Sequence, residues 1–311
     1  MVAEPRQQSP LLPRLAGASA MLVLAVVAAS AYLRLSQAGF SCADWPACFG
    51  RVLANQEAMA IEASVFWARV AHRLAAMGVT VLVLACVVLA YRFRAEDARP
   101  LRLALIALAL TLFLAILGRW TTGSRIPAVT LGNLLGGFAL LAALWRLRLG
   151  VAPAAHEKRL VRGLVLVAAA FLTLQVALGG LVSASFAGLA CTGFPGCGPA
   201  GVVFDLALFN PFRVVEIDAS GAILRPPGLS GLVAAHRALA LLLALVLLAL
   251  ATQLWRQPAG QRALALRLLA LLGLGYALGV ASALTAPPLA LVFGHNVVAA
   301  LLALSLAEVR C

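Results

Sequence analysis

Apolar residues fill eight stretches of this chain, each long enough to cross a bilayer, and polar segments of very unequal length separate them. A hydrocarbon core takes about 20 predominantly apolar residues per helical span. The stretches 15–35, 67–91, 102–119, 127–146, 161–184, 231–254, 263–284 and 287–308 meet that requirement. The pattern predicts an all-α integral membrane protein with eight transmembrane helices. The first run is long and no small-residue cleavage site follows it, so it is read as a retained span and not as a signal peptide.

Composition supports the same class. Of 311 residues 63% are hydrophobic and 11% charged, which excludes an ordinary water-soluble globule. The net charge of +13 invites a nucleic-acid reading. The charges, however, lie between apolar runs and not along one face, so they belong to a bilayer topology and no nucleic-acid partner is expected. Lys and Arg near span ends stay on the cytoplasmic side. With the N-terminus inside, 15 of the 24 basic residues fall inside, including Arg92, Arg94, Arg146, Arg148, Lys158 and Arg162. Six of the 11 acids fall outside: Asp44, Glu57, Glu62, Asp205, Glu216 and Asp218. Both termini are therefore expected in the cytoplasm, in an inner membrane of bacterial type.

Two outer connections, about 36–66 and 185–230, are long, and loops of that size are usually functional or disordered. They hold Cys42, Cys48, Cys191 and Cys197, two pairs with identical six-residue spacing. An oxidising compartment permits disulfides there; reduced or metal-binding thiols are the alternative, although no His lies in either loop to complete a metal site. Cys86 lies inside an apolar run and Cys311 ends the chain. Other landmarks repeat with the cysteines. Ala71-His72-Arg73 opens span two as Ala235-His236-Arg237 opens span six, 164 residues on. Asn133 in span four matches Asn296 in span eight, 163 residues on. The simplest architecture is two pseudo-repeated four-helix bundles, residues 1–150 and 151–311, joined near 147–160.

Three of the four histidines lie within spans, where ionisable groups are costly and point to function. At ~1.5 Å per residue, His72 and His236 lie about 8 Å into their spans and His295 about 12 Å. His236 and His295 thus share a bundle at similar depth, as needed to ligate one iron from both faces of a flat macrocycle. A helix-to-helix hydrogen bond is the alternative for each. His156, beside Glu157 and Lys158 in the linker, reads as solvated surface. Arg73 and Arg237 follow their histidines, and either contact carboxylates of a tetrapyrrole near the outer boundary or snorkel to headgroups.

The run Arg34-Leu35-Ser36-Gln37-Ala38-Gly39-Phe40-Ser41-Cys42-Ala43-Asp44-Trp45-Pro46-Ala47-Cys48 resembles the first outer-loop signature of haem A synthases. Gly179-Gly180-Leu181-Val182, Ala187 to Cys191 and Phe194-Pro195-Gly196-Cys197 resemble its second copy. With the His-Arg pairs and the duplicated eight-span plan, the resemblance covers nearly the whole chain. It implies an enzyme that oxidises a methyl group of haem O to the formyl group of haem A for terminal oxidases. It further implies haem b held between His236 and His295, and substrate haem received by the N-terminal bundle at His72. Disulfides Cys42–Cys48 and Cys191–Cys197 follow from the same resemblance. So do an external electron donor and, as a possible neighbour, a haem O synthase. The cofactor would supply the reactivity that an unactivated methyl C–H bond demands, and the protein would position the methyl group.

The chain departs from the family pattern twice, both times in the N-terminal bundle. Gly132 stands where the family has a His in span four, and Arg69 where it has a Glu three residues before the helix-two His. These changes either abolish catalysis or leave an open coordination position opposite His72; Glu57 and Glu62 lie upstream as possible carboxylates. A second function class therefore stands beside the enzyme: a non-catalytic haem b protein for electron transfer or haem handling, with a degraded first site. A proton-coupled transporter fits less well, because Asp and Glu are absent from the apolar centres of the spans.

Overall fold

The structure is a computed structural model and describes residues 10–37, 63–95, 97–121, 124–150, 159–191, 193–199, 201–219, 222–285 and 288–309. Cys42, Cys48, Glu57, Glu62, His156 and Cys311 lie outside the described residues.

Eight helices carry the described chain: α1 (Leu11–Gln37), α2 (Ala63–Arg92), α3 (Arg99–Gly118), α4 (Pro127–Leu149), α5 (Arg159–Ala184), α6 (Leu229–Trp255), α7 (Ala259–Leu284) and α8 (Leu289–Glu308). Each is long and apolar enough to cross a membrane, so the chain is an integral membrane protein. The helices coincide with the eight expected spans. Where they differ, most run longer: α1 and α2 begin four residues early and α7 likewise. A helix that continued only to the edge of the apolar run would leave its terminal N–H and C=O groups at the boundary of the hydrocarbon, where water is scarce. Proline marks several starts, with a fixed φ and no N–H to waste: Pro127 opens α4, and Pro258 and Pro288 precede α7 and α8. Arg146 and Arg148 sit in the last turn of α4, favourably placed against the negative end of its dipole.

The first four helices form a ring in which α1 packs on α2 and α4, and α3 on α2 and α4. In the last four, α5 packs on α6, α6 on α7 and α7 on α8, while α5 and α8 touch only lightly. The halves meet where α4 lies against α5 and α8, and α1 against α8. Glycine permits the closest of these approaches. A Cβ at Gly180 of α5 would lie 2.8 Å from Leu131 of α4. Leu141 and Leu144 of α4 and Leu247, Leu250 and Leu268 of the last four helices are wholly buried in one continuous core that crosses this boundary. At the end of the helices far from the cysteine loop, Glu308 of α8 pairs with Arg267 of α7 and accepts from Trp145 Nε1 of α4 at 3.1 Å.

The described residues of the connection between α5 and α6 form short 3-10 turns at Ala187–Leu189 and Leu206–Phe209 and an isolated antiparallel bridge, Ile217 with Ile223. Cys191 and Cys197 are joined by a disulfide. The loop also reaches the first four helices: Ala128 N–H donates to the Pro211 carbonyl at 2.7 Å, and Val215 N–H to the Arg125 carbonyl at 2.9 Å. The first of these bonds satisfies one of the N–H groups that the start of α4 leaves without an intrahelical partner.

Candidate cofactor-binding site

His236 lies seven residues into α6 and His295 six residues into α8, so both stand about 10 Å along their helices from the same end. Their rings are 6.3 Å apart between centroids and inclined by 71°. His295 Nδ1 lies 2.9 Å from the Gly275 carbonyl of α7. If that nitrogen carries the proton, Nε2 is left as the lone-pair atom, the state in which imidazole ligates a metal. His236 Nε2 lies 3.3 Å from the Gln175 side-chain amide nitrogen of α5, and His236 Nδ1 is buried with no partner.

Space for the rings comes from glycine. A Cβ at Gly179 would sit 2.9 Å from His236 Cε1, and one at Gly279 would sit 3.4 Å from His295 Cε1. Gly179 follows Gln175 by one turn on α5, and Gly279 follows Gly275 by one turn on α7, so each pair shares a face.

The rings border a cavity of about 270 Å³ among α5, α6, α7 and α8. Its walls are mostly apolar and include Leu134 and Phe138 from α4. Four buried polar atoms without a partner belong to residues on its wall: Arg34 Nε, Gln175 Oε1, His236 Nδ1 and Ser282 Oγ. Buried polar groups are ordinarily satisfied, so such a cluster around one cavity marks a place for a ligand that carries polar groups.

The donor set narrows the ligand. A bare ion of the zinc type needs three or four protein ligands, and no three His, Cys, Asp or Glu side chains converge among the described residues. Two imidazoles suffice for iron already held in the plane of a macrocycle. With metal–nitrogen bonds of about 2 Å, two imidazoles on opposite faces of one metal have ring centroids about 6 Å apart. The observed 6.3 Å fits that separation.

Arg237, expected either at a carboxylate or among headgroups, has a backbone task here. Its Nη1 donates to the carbonyls of Gly193 at 2.8 Å, Pro195 at 3.2 Å and Gly196 at 2.8 Å, and its guanidinium lies 5.6 Å from the centre of the Phe194 ring. The disulfide-closed turn is thereby pinned beside His236, and Phe194 forms part of the cavity wall.

The other site residues lie apart from this pair. His72 is half-buried on α2, with Nε2 2.7 Å from Ser30 Oγ of α1. Arg73 is exposed and Arg69 half-buried. Gly132 faces α3, where a Cβ would come 2.6 Å from Leu117 Cδ2 and 3.5 Å from Phe113. Asn133 Nδ2 donates to Thr121 Oγ1 at 2.7 Å, whereas Asn296 Oδ1 accepts from Arg34 at 3.2 Å.

Sequence reasoning did not single out Gln175, Ser30 or Ser282 as site residues. Gln175 carried a signal: a long polar side chain deep in an otherwise apolar span. Ser30 and Ser282 carried none, since a serine in a span can bond back to its own helix.

A family model described as "Cytochrome oxidase assembly protein" matches residues 13–307. A Heme A synthase of Shewanella oneidensis is 33% identical over 315 aligned residues, which cover 93% of each chain.

Proposed function

This chain belongs to the cytochrome oxidase assembly protein family, and from that premise we propose that it is a haem A synthase, an oxidoreductase that converts a methyl group of haem O to the formyl group of haem A. The observation that carries the reading is the His236–His295 pair, with its 6.3 Å ring separation and its glycine-cleared, mostly apolar cavity. In this reading residues 151–311 form the haem b bundle, with His236 and His295 as the iron ligands. Residues 1–150 form the substrate bundle, in which His72 orients haem O and Ser30 holds the imidazole. Haem b, when bound, supplies one-electron chemistry to the site. The chain's own part is to hold iron through two neutral imidazoles, keep water out with Leu134 and Phe138, and close the end of the cavity with the Phe194 turn. Arg73 and Arg237 serve the outer boundary of the two sites. The protein lies in an inner membrane with both termini in the cytoplasm and both cysteine loops, Cys42–Cys48 and Cys191–Cys197, outside. It takes electrons from an external donor and receives haem O from its synthase.

A second reading draws on the first bundle. Gly132 replaces a possible ligand, and Leu117 and Phe113 lie close to the position such a side chain would use. That arrangement favours a haem b-binding protein with a degraded substrate site. One experiment separates the two. The chain is co-expressed with a haem O synthase in a host lacking haem A, and the extracted pigments are resolved by chromatography. Hydroxymethyl or formyl haem is the outcome expected of the enzyme. Unchanged haem O alongside protein-bound haem b would transfer the assignment to the second reading.

A further inference from the structure

We propose that Arg34, from the first helix of the N-terminal half, binds a carboxylate of the tetrapyrrole held between His236 and His295, so that both halves of the chain build one cofactor site. The proposal rests on the reading of that cavity as a haem site.

Arg34 lies in the last turn of α1 and is the α1 residue on the wall of the cavity. Its place there is fixed. Nη2 donates to Asn296 Oδ1 at 3.2 Å, and Asn296 is oriented in turn by its own Nδ2, which donates to the Val292 carbonyl at 2.8 Å. Asn296 directly follows His295, so the guanidinium is tied to the neighbour of an iron ligand across a sequence separation of 262 residues.

The arginine is nevertheless unfinished. A guanidinium offers five N–H donors in a rigid fork suited to a carboxylate. Nε is buried with no partner, and no described carboxylate forms an ion pair with Arg34. A cation left in that state at membrane depth is strongly disfavoured unless an anion joins it. The other arginine on the wall, Arg237, directs Nη1 to three loop carbonyls. A cavity occupant with acidic groups on its edge meets the need of Arg34, and a haem carries two such carboxylates. Ser282 Oγ, also unpartnered on this wall, is a further donor for the same end of the molecule.

The test compares haem b with its dimethyl ester, which keeps the iron and the ring but loses both negative charges. The full-length protein, stripped of pigment in detergent, is titrated with each and followed by the low-spin absorbance of bis-imidazole iron. The unaltered chain is expected to bind the free acid about tenfold or more tightly than the ester. Arg34→Gln should bind acid and ester alike, with ester affinity close to that of the unaltered chain, and Arg34→Lys should recover part of the preference. Equal affinity of the unaltered chain for acid and ester overturns the proposal without recourse to any variant. Retention of the full preference by Arg34→Gln overturns it as well. Failure of the underlying reading looks different: His236→Ala and His295→Ala would then titrate as the unaltered chain does, with acid or with ester.

Discussion

The seam between α1 and α4 and the corresponding seam between α5 and α8 are built in opposite ways. In the first half the two helices close on each other, with Gly137 letting α4 approach so near that a Cβ there would lie 3.1 Å from Val27 of α1. In the second half α5 and α8 touch only lightly, and the cavity that His236 and His295 border opens among α5, α6, α7 and α8. The neighbouring pair of helices repeats the contrast. Where α4 offers Gly132, α3 presents Leu117 and Phe113; where α8 offers His295, α7 presents Gly275 and Gly279. A histidine can face inward on α8 because glycine gives it room and a carbonyl to bond, and the first half has instead placed bulk on α3 and no side chain at Gly132 of α4. Two stretches of similar hydropathy can thus differ between closed packing and a ligand cleft through a few exchanges of glycine with larger residues.

The contrast can be broken most severely at His236 and His295. His236→Ala and His295→Ala should each abolish the low-spin haem signal in reduced-minus-oxidised spectra of purified protein, while His72→Ala spares it and removes product; loss of the signal in all three would merge the two halves into one site. Next in size is a matched pair of glycine changes. Gly179→Ala drives a methyl group against the His236 ring and should lower pigment content about tenfold, a misfit of at least about 1.4 kcal/mol. Gly132→Ala meets the movable end of Leu117, with Phe113 at ordinary contact distance, and should leave pigment unchanged, and the comparison fails if both variants lose pigment equally. A smaller effect is expected from Arg237→Gln, which removes three donations to the Cys191–Cys197 turn. Limited proteolysis should then cut between residues 191 and 205 several-fold faster, and an unaltered digestion rate would show that the disulfide alone holds the turn. Smallest is Ser30→Ala. Loss of one interhelical hydrogen bond in a membrane costs about 0.6 kcal/mol, so thermal stability should scarcely change and the haem spectrum not at all, while product yield falls as His72 loses its orientation.

Much of this was legible in the sequence. The eight spans follow from the apolar runs alone, because lipid requires every backbone group to be bonded within its own helix. The histidines stood out because few side chains of that kind occur in apolar runs. What the sequence hid is what depends on helices meeting. Arg34 and Asn296 are 262 residues apart and come together only because α1 packs on α8. The work of Gly179 and Gly279 is defined by the ring of a residue on another helix, so a glycine there reads the same as one that merely eases packing. Arg237 was readable as a boundary cation, but its partners are backbone carbonyls whose positions depend on the turn closed by the disulfide. The early start of α2 was also hidden, since Phe66 and Trp67 give no sharp polar boundary.

The two backbone bonds between the α5–α6 loop and the start of α4 impose an order on synthesis. Residues 125 and 128 leave the ribosome more than eighty positions before their partners 211 and 215, so the front of α4 must be threaded into the bilayer while its definitive acceptor does not yet exist. Nascent chains halted ahead of residue 211 should therefore hold that end of α4 in a provisional, water-satisfied form. Maturation of the first four helices becomes an event that waits for translation of the fifth and of the loop beyond it.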